Sequence, residues 1–580
     1  MGYAARPRAP APTGPAARRR RAGFTVPEDV VAAIERRWPW VLGGMMLVEA
    51  IVLLYMGRGL TFYFDEWDFV QNDYGGGLHS LLVAHVGNIS VLPAAVYKVL
   101  YHLAGLNHYA IYRLAVIVLH LLAAGLVFVP AARRIPRFPA LLACALVLFL
   151  GAAWEDLLWP FQIGYMLSIV GGLGAWVALD GDGHGADVLA MLCVVLATGS
   201  SSLGLAVIVG VAVELAWQRQ WRRGWIVLVP AAIYLLWYLG YGESQVTRNA
   251  LINAPGFAAD LAAAAFGGLF GRGLDWGRPL AVVGVALLAL ELSQRRYVSP
   301  RLAGLLASAV ALWTITAAAR STISAPETSR YVYMGAVLIV LVAVELIRTV
   351  AIPARASLMA SAVVAVAAVT GLTVLHAGSG GLRATSQVLK AELAALEVAG
   401  RYTPPTYRPD PQRAPQIVAA SYLHSVRSIG SSPAESRDGL SAAEPAARAA
   451  ADQVLLALEP PRLAPAAQSA SAALAPAPEL EGLLGGVAAQ QAQCISFQPA
   501  AARTLTAQLT PPAGGAVVTD RGGGPVALGL KRYGEGYVPV AAAVAPRTAE
   551  SVRLPADGAG VPWRMQMSSS SPFVVCGLLP

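Results

Sequence analysis

Residues 39–69 read PWVLGGMMLVEAIVLLYMGRGLTFYFDEWDF. The run 39–57 holds a single carboxylate and no base, and an apolar helix of about 20 residues crosses a hydrocarbon layer of about 30 Å. Just beyond it, Asp65, Glu66 and Asp68 place three carboxylates within four positions, interleaved with aromatic rings. A span that ends in an acidic, aromatic-flanked motif points to a membrane protein whose chemistry sits at the surface.

The rest of the chain agrees. Of 580 residues, 56% are hydrophobic and 13% charged, against about 25% charged in soluble domains. This excludes a disordered chain, a collagen-like fibre, a disulfide-stapled mini-protein and an ordinary soluble enzyme. Ten further apolar runs follow the first: 109–130, 138–153, 162–179, 186–199, 203–217, 225–241, 279–292, 302–319, 331–350 and 356–376. The runs 186–199 and 203–217 are short and meet at Ser200-Ser201-Ser202, which predicts a tight hairpin. Stretch 255–270 is Ala/Gly-rich, and is expected to be interfacial or re-entrant rather than a twelfth span. The expected fold class is a polytopic α-helical membrane protein of about eleven transmembrane helices. A C-terminal extracytoplasmic mixed domain ending in a β-sandwich follows.

The formal charge is +9, yet only three of 43 basic residues are lysines. The basic residues form short clusters between apolar runs instead of one stripe, so no nucleic-acid partner is expected. Arg18 to Arg21, Arg36 and Arg37 precede the first span. Arg133, Arg134 and Arg137, then Arg219, Arg222 and Arg223, then Arg295, Arg296 and Arg301, and finally Arg348 and Arg355 fall on the same side by alternation. The positive-inside rule makes that side cytoplasmic, and loop 180–187, with three aspartates, is the one departure. The chain is thus expected to be a multi-pass plasma-membrane protein with external loops 58–108, 154–161, 242–278 and 320–330.

Residues 1–37, rich in Pro, Arg and Ala, are expected to be a disordered cytoplasmic tail without a signal peptide. The transmembrane domain is 38–376. A helical and Pro/Ala-rich connector, 377–480, should lie outside: 383–399 and 440–458 read as helices and 400–415 as a proline-rich linker. Alternating runs at 503–509, 515–519, 525–532, 537–544 and 572–577 predict a β-sandwich module over 481–580. Cys494 and Cys576 bracket it, and a disulfide joining its first and last strands is expected in an oxidising compartment. Cys144 and Cys193 sit in apolar runs as packing residues.

On a helix, Asp65 and Asp68 share a face at i, i+3. Carboxylates so close raise each other's pKa or recruit a cation, and either makes one a candidate general base; the alternative is a hydrated acidic loop. Glu155 and Asp156 lie in loop 154–161 on the same side, and His85 continues the first loop. His79, His102 and His108 form no metal-binding spacing. Arg320 and Arg330 cap two spans at the outer face, where they can hold a phosphate by forked hydrogen bonds or simply snorkel. Arg113 and Arg248 are weaker candidates. No Walker loop, dinucleotide-binding GxGxxG, CxxC or HExxH is present, so soluble nucleotide chemistry is not expected.

The motifs Asp65-Glu66-Trp67-Asp68, Glu155-Asp156 and Ser329-Arg330-Tyr331, with the long first external loop and the external C-terminal domain, resemble GT-C superfamily membrane glycosyltransferases. The likeness is in particular to the protein mannosyltransferase-like and actinobacterial arabinofuranosyltransferase-like group, and it covers about 39–376 as architecture. The resemblance implies a polyprenyl-phosphate-linked sugar donor and a glycan, lipid or protein acceptor outside the membrane, among membrane lipids and in cell-wall biogenesis. It implies a catalytic base at Asp65, or at the adjacent Glu66, and transfer with inversion. Asp68, Glu155, Asp156 and His85 would orient the acceptor or hold a divalent cation, Mg or Mn. Arg320, Arg330 and Tyr331 would hold the donor phosphate. The terminal module is similar to carbohydrate-binding modules of some mycobacterial arabinofuranosyltransferases. The rival readings are a non-catalytic cell-envelope scaffold or glycan-binding membrane protein, and a lipid-linked glycan transporter or flippase. The spans hold few ionisable residues, which disfavours a conduction path.

Overall fold

The computed structural model describes residues 28–73, 77–295, 297–400, 403–466, 475–501, 503–555 and 559–579. The first 27 residues, Arg296 and part of the 460–480 stretch lie outside the described residues. Residues 28–36, expected to be tail, instead form helix α1 (Glu28–Arg36), whose Ile34 packs on an apolar cluster containing Phe128 and Leu141.

The bundle that follows comprises α2 (Trp38–Met56), α3 (Glu66–Asp68), α4 (Val91–Ala104), α5 (Tyr109–Arg134), α6 (Arg137–Leu148), α7 (Trp154–Leu158), α8 (Ile163–Leu179) and α9 (His184–Ser200). It continues with α10 (Gly204–Trp217), α11 (Trp225–Tyr241), α12 (Arg248–Gly268), α13 (Leu274–Gln294), α14 (Pro300–Arg320), α15 (Val332–Ile347) and α16 (Ala354–Ala399). Contacts at the helix termini define two ends. At an arginine-rich end, Arg134 meets Asp180 at 3.0 Å, Arg301 meets Glu214 at 2.8 Å, and Arg295 reaches the Leu346 carbonyl. At a loop end, Trp237 donates to the Leu82 carbonyl (2.8 Å) and Ser329 to that of Ala152 (2.8 Å). Helices α2, α5, α6, α8 to α11 and α13 to α16 run between these ends, and each matches one of the expected spans.

By length and composition, ten helices among the described residues are apolar enough to cross a membrane, α12 among them. Both ends of α12, however, meet the loop end. The Ala250 carbonyl accepts from Ser321 Oγ (3.0 Å), and the Phe270 carbonyl accepts from Thr370 Oγ1 (2.7 Å), beside the α6–α7 connection. Helix α12 therefore lies across that end, as its composition suggests, and is longer than the 255–270 stretch. The short α9 and α10 do form the hairpin at Ser200–Ser202. With 14 residues, α10 is about 21 Å long, less than the hydrocarbon thickness, so the turn sits sunk into the bundle. Helices α10 and α14 touch backbone to backbone, because a Cβ on Gly210 would stand 2.9 Å from the Gly304 carbonyl oxygen.

Helix α16 has 46 residues, about 69 Å, so the expected 383–399 helix is its uninterrupted continuation beyond the bundle. Its upper half grips the segment after α2: Arg383 donates to the carbonyls of Met56 (2.9 Å) and Arg58 (3.1 Å), and Ser386 Oγ accepts from the Thr61 N–H (3.2 Å). Helices α17 (Ala419–Ile429), α18 (Arg437–Ala442) and α19 (Pro445–Leu458) follow. Among the described residues eleven strands then form two antiparallel sheets, β1-β9-β6-β11-β4-β3 and β2-β5-β10-β7-β8. They are β1 (Arg462–Pro465), β2 (Glu479–Leu484), β3 (Gly486–Gln491), β4 (Cys494–Pro499), β5 (Leu505–Thr510), β6 (Ala516–Asp520), β7 (Ala527–Lys531), β8 (Val538–Pro539), β9 (Ala549–Arg553), β10 (Arg564–Ser569) and β11 (Phe573–Gly577). The sandwich starts earlier than residue 481, because β1 is drawn from the Pro/Ala-rich stretch to pair with β9. Its core stacks Phe497 on Phe573 and buries Leu505, Leu509, Met565 and Met567. Cys494 and Cys576 form a disulfide, but between β4 and β11, adjacent strands on which they stand directly opposite, not between the first and last strands. The fully buried Asp452 of α19 accepts from the backbone N–H groups of Arg532, Tyr533 and Gly534 and locks the sandwich to the helices.

Candidate active site

The first loop turns sharply before its acidic motif. Phe64 has φ 46°, a left-handed conformation costly for a bulky residue and concentrated at functional sites. The turn sends Asp65 and Glu66 to different surroundings. Glu66 is fully buried: Tyr97 OH donates to its Oε1, while Tyr109 OH (2.8 Å), Trp159 Nε1 (3.1 Å) and the Tyr63 N–H (2.9 Å) donate to Oε2. Burial raises its carboxyl from 4.5 to about 7 against those four hydrogen bonds. Glu66 is thus the anchor that fastens the loop to α4, α5 and the segment after α7, and it does not line the cavity.

Asp65 does line it. Burial, and then the neighbouring Asp68, raise its carboxyl from 3.8 to about 6, while Arg330, Arg320 and a hydrogen bond from Gln416 hold it back. Near neutral pH such a group is mostly ionised yet basic enough to take a proton. Facing it are Arg320, Arg330, Tyr331 and His85, together with Asn88, Tyr165 and Ser200–Ser201 of the sunken turn. Arg320 is buried and donates to the Val86 carbonyl (3.0 Å); Val86, β-branched, is itself held at φ 51°. The Arg330 backbone N–H and guanidinium both reach Glu155 (3.0 and 3.4 Å), whose own N–H donates to Ser329 Oγ (3.1 Å). Glu155 therefore aims Arg330 from behind. The His85 ring lies 4.5 Å from Phe69, and Tyr331 OH and Ser324 Oγ are 3.0 Å apart. A second, apolar groove shares Asn88, Tyr165, Arg320 and Tyr331 with the cavity and descends between Leu203, which caps α10, with Ala206 of α10, and Leu312 and Thr316 of α14.

Asp65, His85, Arg320, Arg330 and Tyr331 thus meet, and other expected site residues do not. Asp68 lies one turn from Asp65, outside the lining. Asp156 is fully buried, and among the described residues neither of its carboxyl oxygens has a hydrogen-bond partner. Arg113 caps α2 at the Leu53 carbonyl, and Arg248 is exposed at the start of α12. Among the described residues no three His, Cys, Asp or Glu side chains converge as a metal-binding group. With Glu155 committed to Arg330, the acids expected to share a divalent cation do not fit one. The sequence reading missed Gln416, whose Nε2 donates to Asp65 Oδ1 (2.9 Å) from the proline-rich region. Gln71 holds it there by donating to the Gln416 carbonyl (2.9 Å) and accepting from the Val418 N–H (3.1 Å).

No family model matches the chain, and no curated protein matches it. Two solved structures are similar, both of ArnT from Cupriavidus metallidurans at 14% identity. The structure bound to undecaprenyl phosphate covers 63% of this chain and 81% of its own, with a TM-score of 0.42. The apo structure covers 65% of this chain and 82% of its own, with a TM-score of 0.44.

Proposed function

We propose that the chain is a membrane glycosyltransferase of the GT-C type that transfers a sugar from a polyprenyl-phosphate donor to a cell-envelope acceptor outside the membrane. The observation that carries this reading is the meeting of Asp65 from the first loop with Arg320 and Arg330 from the last, in one cavity beside an apolar groove. A lipid-linked donor arrives laterally, its isoprenoid in the groove and its phosphate at the two guanidiniums. The acceptor oxygen forms the new bond to the anomeric carbon while the bond from that carbon to the phosphate oxygen breaks. Asp65 takes the acceptor's hydroxyl proton, and Arg320 and Arg330 stabilise the charge gathering on the departing phosphate. Attack opposite the leaving group inverts the anomeric centre. With α12 lying across one end, eleven crossings would put the two termini on opposite sides, and the arginine clusters favour a cytoplasmic N-terminus and an external C-terminal domain.

The test is release of polyprenyl phosphate by the purified full-length protein from arabinosyl, mannosyl and galactosyl donors. Asp65→Asn should fold and lose at least about a hundredfold in rate. Arg330→Ala should raise the KM for donor more than that for acceptor. Undiminished release by Asp65→Asn would remove Asp65 as the base, and no release from any donor would favour the scaffold reading.

A further inference from the structure

At the opposite end of the bundle from the proposed active site, a wide cleft of about 650 Å³ opens where α5, α8 and α15 end and α9 begins. Arg133, Arg134 and Arg348 line it with Asp180, above an apolar wall that includes Ala186 and Leu189. Its floor is fixed. Arg134 lies between Asp180 (3.0 Å) and Glu345, with a third bond to the Pro130 carbonyl (3.1 Å). Arg301 meets both Asp180 (2.9 Å) and Glu214 (2.8 Å) beneath. Burial alone would raise the Asp180 carboxyl, but the hydrogen bonds from Arg134 and the charges of Arg301, Arg134 and Arg133 hold it below its usual value, so it stays ionised.

The rim differs from the floor. Arg133 has 51% of its side chain exposed and, among the described residues, one ionic contact, at 3.3 Å, to the already shared Asp180. Arg348 is 41% exposed with, among the described residues, one ionic contact, at 3.3 Å, to Glu345. Across the cluster four guanidiniums (Arg133, Arg134, Arg301, Arg348) face three carboxylates (Asp180, Glu214, Glu345), so one positive charge is left over. Each rim arginine keeps N–H donors for a further acceptor. Leu189, on the outward side of α9, is 53% exposed and continues the wall toward where acyl chains lie. Two forked donors at headgroup depth, a net positive lining and an apolar flank match a phosphodiester carrying diacyl chains.

We propose that this cleft binds the phosphate-bearing headgroup of an anionic phospholipid in the leaflet at the arginine-rich end, a lipid site separate from the cavity around Asp65. Arg133 and Arg348 clasp the phosphate, Arg134 supplies a fixed positive floor, and Leu189 carries an acyl chain.

Full-length protein in neutral detergent is titrated with phosphatidylglycerol, with phosphatidylcholine of the same chains, and with inorganic phosphate. Native mass spectrometry counts bound lipid, and the thermal midpoint is followed in parallel. Phosphatidylglycerol should be retained and should raise the midpoint, and phosphatidylcholine should do neither. The pair Arg133→Gln and Arg348→Gln should weaken phosphatidylglycerol retention about thirtyfold, at about one charge's worth of surface attraction per arginine. Arg219→Gln with Arg222→Gln, exposed at the same end but outside the cleft, should leave it unchanged. If the first pair does not fold, Arg348→Gln alone should weaken retention about fivefold. Equal retention of phosphatidylcholine, equal loss in both double variants, or full competition by inorganic phosphate would each overturn the proposal.

Discussion

Gln416 donates its side-chain amide to Asp65 Oδ1 over 2.9 Å, joining residues 351 positions apart. A hydrogen bond to the ionised carboxylate lowers its pKa, so the region beyond the bundle sets the basicity of a loop residue at the membrane surface. Gln416→Ala should slow transfer about ten- to a hundredfold, the worth of one hydrogen bond to a charged group. It should also shift the acidic limb of the pH–rate profile upward. A loss of rate with the limb unmoved would show that Gln416 only supports the fold.

With Asp65 raised to about 6, its ionised form is the competent one. Activity should be half-maximal near that pH, fall about tenfold per unit below it, and level off above neutrality. A profile flat from pH 5 to 8 would point to another base.

Glu66 separates anchoring from chemistry. Glu66→Ala leaves four buried donors unmet, at about 1–3 kcal/mol each, and should prevent folding. Glu66→Gln can keep three donors on its oxygen if Tyr97 OH turns to accept, so fold and most activity should survive. A folded-state carboxyl raised to about 7 from 4.5 gives stability that is complete below 4.5 and is lost as pH rises through 7. Thermal midpoints of the native protein should fall over that window, and those of Glu66→Gln should fall less.

Cys494 and Cys576 close an 82-residue separation, worth about 4–5 kcal/mol by loop-closure entropy. Reduction should change gel mobility and lower the unfolding midpoint of the sandwich. Alkylation of Cys494 and Cys576 themselves in the untreated, membrane-embedded protein, over and above any labelling of the free Cys144 and Cys193, would contradict an oxidising compartment for this domain.

Most spans were legible as apolar runs with arginines beside one end, and α12 was set apart by an Ala/Gly-rich, only moderately apolar composition. Asp65, Arg320 and Arg330 were legible as charges beside span ends. That Asp65 and not Glu66 faces the cavity was not, because adjacent carboxylates are equivalent in sequence and the positive φ of Phe64 decides between them. Glu155 read as an acceptor ligand because its bond to the Arg330 backbone crosses 175 positions. Gln416 carried no local signal in a proline-rich stretch. Strands β2 and β3 escaped notice because ELEGLL and GVAAQQ lie on sheet edges and have no fully buried position, so neither presents an apolar face.

Helix α16 is at once a membrane crossing, the grip on residues 56–61 and the root of the chain that returns as Gln416. A helix turns about 100° per residue, so its angular phase is shared by everything attached above. One residue inserted near Gly378 would leave the lower half seated against Gly151 while swinging Arg383 and Ser386 away from their carbonyl and amide partners. A single-codon insertion there would misalign the catalytic loop as surely as a substitution within it.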